Sequence, residues 1–188
     1  MPIVEVHLLE GYDTDDKRRL GEALTDAVRF VIPAPSDAVT VLMHETKTDA
    51  YMRGRMQRRP APANSDPVEI VRNYLMKMEQ RDLEAAGAML ADDFIMQFPG
   101  AEPMTALEEL VAWSKPRYRS VRKSYDGFDA MQSSDDARLV YCFGTLSGEW
   151  LDGTGFEGIR FIDRFEVVGD KITRQDVWND MGEVKAQA

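Results

Sequence analysis

Two residues of this 188-residue sequence have the chemistry of a proton-transfer catalyst, and the first is Pro2. If Met1 is removed, which a small second residue allows, Pro2 gains a free secondary amine. An amino terminus titrates near ~8, and burial lowers that value because it disfavours the charged form. The sequence therefore predicts that the Pro2 nitrogen acts as a general base near neutral pH.

The second candidate is Asp163, which lies in an apolar strand-like run over residues 159–167. Side chains alternate across a strand, so Asp163 is the only charge on its predicted face. A lone carboxylate there needs a raised pKa or a partner, and both suit an acid/base residue in a pocket. The alternative is a structural pair with an arginine or with Trp178. We also expect Trp178 and Asp180 to share a face of the last strand and to join this site.

The elements that would position Pro2 form a short unit at the front of the chain. Apolar alternation predicts a strand over residues 2–9, helical spacing predicts a helix that Pro33 ends, and a second strand follows Pro35. A strand, a crossover helix and a second strand favour a parallel, right-handed β-α-β unit, which a ribbon near residues 51–56 would close. Such a unit of about 60 residues buries little surface alone, so we expect it to self-associate.

The elements that would position Asp163 follow a proline-rich linker. We predict a first domain over residues 1–59, a linker over 60–66, a second domain over 67–182 and a tail over 183–188. The second domain is predicted to contain a helix that begins at Pro67, two helices near 82–90 and 105–114, a strand near 94–98, and four strands near 121–131, 137–149, 156–168 and 171–180. Helices followed by a long antiparallel meander predict an α+β fold.

Composition narrows the classes of function and partner. The net charge of -10 argues against nucleic acid and anionic membranes as partners. No apolar run is long enough to span a membrane, so we expect a soluble, cytoplasmic protein. Cys142, the single cysteine, is predicted to be a buried structural thiol, and His7 and His44 lack clustered partners, so no metal site is expected.

Residues 2–58 resemble the 4-oxalocrotonate tautomerase family. The features that carry the resemblance are the proline-initial strand PIVEVHLLEG, the helix, the Ala-Pro before the second strand, and the ribbon with Tyr51. The resemblance implies a β-α-β fold, assembly into dimers or higher oligomers, and Pro2 as the base in keto–enol chemistry. It implies no cofactor.

The sequence departs from that family at two positions. Family members usually carry an arginine just after the Glu-Gly and another in the second strand, where this sequence has Tyr12 and Thr40. Loss of two charge-assisted donors implies either a substrate other than a diacid or replacement by other residues. Arg53 and Arg55 are the candidates for replacement, although a solvated basic run needs no function. Tyr51 would form an aromatic wall of the substrate site or a plain hydrophobic contact.

Residues 66–182 resemble the cone-shaped fold shared by ketosteroid isomerase, nuclear transport factor 2 and the SnoaL-type polyketide cyclases. The opening helix DPVEIVRNYLMKMEQRD, the strand after LADDF and the ending GIRFIDRFEVVGDKITRQDVWND carry this resemblance. It implies a curved antiparallel sheet around one apolar pocket. The residues that we expect to line this pocket are Tyr74, Phe98, Trp113, Tyr118, Tyr141 and Trp178.

Two functions remain open from the sequence. The first is a cofactor-independent isomerase that moves protons in a small carbonyl compound, with a second small-molecule pocket around Asp163. In the alternative, the first domain only assembles the oligomer, and the second is a lone cyclase, isomerase or hydratase or a pocket that only binds. The missing arginines favour the alternative, whereas the retained Pro2 favours the first.

Overall fold

The computed structural model of the chain describes residues 1–134 and 136–187, and these form two compact units. The first unit is Met1–Asn64 and the second begins at Ser65. Within the described residues, no helix is both long enough and apolar enough to cross a membrane.

The first unit has the predicted parallel β-α-β arrangement. Strand β1 (Ile3–Leu9) pairs in parallel with β2 (Thr40–Thr46), and helix α1 (Thr14–Val31) connects them. Asp13 caps the helix, since its carboxylate accepts hydrogen bonds from the backbone N–H groups of Asp15 and Asp16. The predicted ribbon is a two-residue hairpin of β3 (Met52–Arg53) and β4 (Met56–Gln57). Gly54 and Arg55 both have positive φ angles, as a tight hairpin turn requires.

The second unit is an α+β fold built on one curved sheet of five strands. The strands of this sheet are β5 (Leu90–Gln97), β6 (Tyr118–Gln132), β7 (Ala137–Trp150), β8 (Gly155–Val168) and β9 (Lys171–Asn179). Their order across the sheet is β5-β9-β8-β7-β6. The last four strands form the predicted antiparallel meander, whereas β5 joins it in parallel to β9.

Helices α2 (Pro67–Glu79), α3 (Leu83–Gly87) and α4 (Leu107–Ser114) are the three predicted helices. Asp66 accepts the backbone N–H of Val68, and Pro67 occupies the first turn of α2. A further helix, α5 (Met181–Gln187), begins at the end of the predicted second domain and continues into the predicted tail. The predicted inward face of β8 is confirmed, because all five of its side chains are at most 4% exposed: Ile159, Phe161, Asp163, Phe165 and Val167.

Candidate functional site

A cavity of about 180 Å³ opens between the sheet and the helices of the second unit. Strands β6, β8 and β9 supply one wall, which includes Lys123, Phe161 and Gln175. Helices α2 and α4 supply the other wall, which includes Tyr74 and Trp113. The cavity is thus mostly aromatic and aliphatic, with a few polar groups, as small-molecule sites usually are.

A chain of polar side chains runs along the base of this cavity. Lys123 Nζ donates to Asp163 Oδ2 as an ion pair, and Gln175 Nε2 lies 3.4 Å from the same oxygen. Tyr74 donates its hydroxyl to Gln175 Oε1 at 3.2 Å. Asp163 is fully buried and does not line the cavity, whereas the Lys123 side chain is 24% exposed. Lys123 and Gln175 are therefore the members of this chain that a ligand can reach.

The partner of Asp163 differs from both partners expected from the sequence. It is a lysine of β6, neither an arginine nor Trp178. The alternation on β6 places Val121, Lys123 and Tyr125 on the cavity wall. Neither Lys123 nor Gln175 was predicted from the sequence, although period-two alternation on β6 and β9 places both of them on inward faces.

Two buried polar atoms of the second unit have no hydrogen-bond partner among the residues that the structure describes. They are Trp113 Nε1, on the cavity wall, and Asp163 Oδ1, behind it. The Trp113 ring lies between Phe98, with ring centroids 5.3 Å apart, and the Arg117 guanidinium, 3.9 Å from the ring centroid. An unpaired buried donor of this kind is costly.

Burial keeps two tyrosine hydroxyls and one cysteine thiol near Asp163 in their neutral, protonated forms. Desolvation raises the pKa of Tyr74 and of Tyr125, and the Asp163 charge adds to both shifts. Desolvation, with the Asp163 charge as the second cause, raises the pKa of the Cys142 thiol to about 12. Cys142 is fully buried opposite Asp163 on the neighbouring strand, which confirms the prediction of a buried thiol.

Of the six residues predicted to line the pocket, the structure places four on the cavity wall and two elsewhere. Tyr74, Phe98, Trp113 and Tyr118 line the cavity. Tyr118 does so from the first position of β6.

Tyr141, Trp178 and Asp180 were wrongly assigned to the pocket. Tyr141 lies on the other face of β7, because Val140 and Cys142 occupy the buried face. Trp178 is 51% exposed, since Val177 and Asn179 are the residues of β9 that face the cavity. Asp180 follows the end of β9 and pairs with the exposed Arg160 at 2.7 Å.

In the first unit, Pro2 is half-buried immediately before β1. Its carbonyl accepts the backbone N–H of Thr40 at 3.0 Å, which places Thr40 beside it at the start of β2. Tyr12 is half-buried in the turn before α1. Thr40 is thus a close neighbour of Pro2, as the parallel pairing of β1 and β2 requires.

The remaining predicted residues of the first unit belong to the exposed hairpin region. Tyr51 is 37% exposed, and Arg53 and Arg55 are exposed on the β3–β4 hairpin. Within the described residues, the structure records no hydrogen bond between these three side chains and Pro2. His7 and His44 are register partners whose rings stack with centroids 4.9 Å apart, although they are distant in sequence.

Comparison with known proteins identifies relatives of the first unit. A family model described as "Tautomerase enzyme" matches residues 2–56. The protein named "Probable tautomerase" of Halalkalibacterium halodurans is 41% identical to this chain over 51 residues, which are 27% of this chain and 84% of that protein.

Solved structures are similar to the chain in fold. An NTF2-like protein of unknown function from Burkholderia pseudomallei has a TM-score of 0.54 at 17% identity, over 63% of this chain and 94% of that chain. TerC, crystallised with polyporic acid, has a TM-score of 0.52 at 16% identity, over 63% of this chain and 95% of that chain. These similarities identify the α+β architecture of the second unit as NTF2-like.

Proposed function

Because the chain belongs to the tautomerase family through residues 2–56, we propose that its first unit is a cofactor-independent isomerase that uses Pro2 as a general base. The observation that carries this proposal is that the family match begins at Pro2 itself. After removal of Met1, the Pro2 nitrogen takes the proton from the hydroxyl of the enol form of a small carbonyl compound. It returns the proton to the carbon next to the one that bore the hydroxyl, which gives the keto form. The reaction balances without an oxidant, a metal or a second substrate.

The neighbours of Pro2 favour a substrate other than a diacid. Thr40 is beside Pro2, and Tyr12 follows the first strand. A hydroxyl group donates one neutral hydrogen bond, whereas an arginine presents a charged, bidentate fork that suits a carboxylate. We therefore assign Thr40 to the carbonyl or enol oxygen, and Tyr51, Arg53 and Arg55 to the substrate side of the hairpin. Tyr12 follows the end of β1 that is far from Pro2, so within one chain it does not reach the same oxygen.

The surface of the first unit supports a homo-oligomer, a dimer or a larger assembly. None of its residues is among the fully buried side chains that the structure describes, all of which belong to the second unit. Ile3 is 57% exposed and Leu42 is 42% exposed on neighbouring strands, and Phe30 is 92% exposed at the end of α1. Apolar exposure on this scale is typical of a surface that another copy covers.

The second unit supplies a separate small-molecule pocket, in which Asp163 acts through Lys123. A fully buried carboxylate that does not line the cavity cannot exchange a proton with a ligand directly. It holds the Lys123 ammonium at the cavity wall, and Lys123 touches the ligand. This arrangement also supports the alternative in which the second unit alone is catalytic or only binds, because its pocket is formed by a single chain.

The experiment that tests the proposal follows the conversion of enol-phenylpyruvate to its keto form. Pro2→Ala is expected to lower the rate by about 10²-fold, the lower end of the usual contribution of a general base, because the substituted alanine still offers a primary amine. Pro33→Ala, which replaces an exposed proline of the same unit, is the control and should keep the full rate. An unchanged rate in Pro2→Ala refutes the role of Pro2. Loss of the rate only in Lys123→Met identifies the second unit as the enzyme instead.

A further inference from the structure

The polar groups of the second unit's cavity define the kind of molecule that it binds. We propose that this cavity binds a flat, mainly apolar compound that carries one negatively charged oxygen, such as an aromatic carboxylate, phenolate or enolate. The inference rests on the small-molecule pocket proposed above and adds the chemical class of its ligand.

The charge of the cavity wall is opposite to the charge of the chain. The chain has a formal net charge of -10, yet the charged residues on the wall are Arg81, Arg122 and Lys123 against Glu79 alone. Arg122 and Glu79 lie 3.7 Å apart, and both side chains are well exposed at the mouth. With Asp163 behind the wall included, three cations face two carboxylates, and this small excess of positive charge beside apolar walls favours ligands with a negative charge.

Lys123 is the group that meets this negative oxygen. Its ammonium has three N–H donors, and among the described residues Asp163 is the hydrogen-bond acceptor that the structure records for it. The remaining donors are on a side chain that lines the cavity, and the ammonium lies 4.5 Å from the centroid of the Phe161 ring. In apolar surroundings, a charge-assisted hydrogen bond to an oxyanion is about twice as strong as a neutral one.

Asp163 explains how a lysine persists at this position without a ligand. Its buried carboxylate neutralises the ammonium from behind, on the side away from the cavity. Buried charges need such a partner. The ligand oxygen therefore adds to an ion pair that already exists.

The aromatic walls define the body of the ligand. Phe98, Trp113, Tyr118, Tyr125 and Phe161 all line the cavity, which favours a flat ring system that contacts them by stacking or edge contacts. A cavity of about 180 Å³ suits a compound with a single ring or with two fused rings.

The test compares two probes of the same shape, 2-naphthoate and the neutral 2-naphthamide, by calorimetric titration of the full-length protein. We expect 2-naphthoate to bind at least 10-fold more tightly. Lys123→Met should abolish this preference. If that variant does not fold, the double variant Lys123→Met with Asp163→Asn removes the buried charge as well and should show the same loss. Arg119→Met, which removes an exposed cation that does not line the cavity, should keep the preference.

The outcomes separate the ligand class from the pocket itself. Equal binding of the two probes overturns the anionic ligand class and leaves the pocket. An unchanged preference in the folded Lys123 variants overturns Lys123 as the group that meets the negative oxygen. Failure of both probes to bind at 1 mM overturns the pocket together with its ligand class. Neither result bears on Pro2, which is tested by its own reaction.

Discussion

Removing Lys123 should destabilise the second unit far more than removing Asp163, although the two residues form one ion pair. Asp163 is 0% exposed and the Lys123 side chain is 24% exposed. In Lys123→Met the carboxylate stays buried, and the one donor that remains to it among the described residues is Gln175 at 3.4 Å. An uncompensated buried charge of this kind costs about 3–5 kcal/mol.

In Asp163→Asn the charge that loses its partner is the Lys123 ammonium. This ammonium is partly exposed, so water in the cavity can hydrate it. The cost of Asp163→Asn should be about 1–2 kcal/mol, the usual range for a lost hydrogen bond at a partly exposed site. The double variant should be more stable than Lys123→Met alone, since no charge is then left buried.

Urea unfolding followed by tryptophan fluorescence measures these costs in the second unit alone. The chain has three tryptophans, Trp113, Trp150 and Trp178, and all of them belong to that unit. Arg119→Met is the matched control, because Arg119 and Glu149 form an exposed pair that joins β6 to β7. That control should cost less than about 1 kcal/mol. An equally small cost for Lys123→Met would contradict the buried ion pair.

Two further predictions concern the stability of the same unit and use the same fluorescence assay. Gly148→Ala should cost about 3 kcal/mol or more, because an added Cβ would lie 2.1 Å from the Ser120 carbonyl oxygen on the paired strand. Gly182→Ala meets nothing within 4 Å and should cost nothing, so equal effects of the two changes would contradict the close approach of β6 and β7. The raised pKa of Cys142, about 12, predicts a stability contribution that is complete below pH ~9 and is lost as the pH rises towards 12, at up to ~1.4 kcal/mol per pH unit. Cys142→Ala should flatten this alkaline decline, and an identical slope in the variant would contradict it.

The sequence predicted the elements and the inward face of β8 because both follow from local periodicity. Asp163 interrupts an otherwise apolar alternation, and a strand with that pattern has one possible buried face. The capped start of α2 at Asp66 and Pro67 is equally local. Such features depend on neighbours within a few residues, so one sequence is enough to find them.

The errors arose where the outcome depends on distant segments. Both faces of β7 are apolar, so alternation alone could not distinguish the buried Cys142 face from the Tyr141 face. The end of β9 at Asn179 moved Asp180 away from the pocket. Lys123 is 40 residues from Asp163, and only the strand order and register bring the two together.

The mass of the mature N-terminus tests the central claim most directly. A general base at Pro2 requires a free secondary amine, because an amide nitrogen has no available lone pair. The account predicts that the intact protein, expressed from its own start codon, lacks the mass of Met1 and that its first residue is Pro2. A protein that retains Met1 would contradict the assignment of Pro2 as the base.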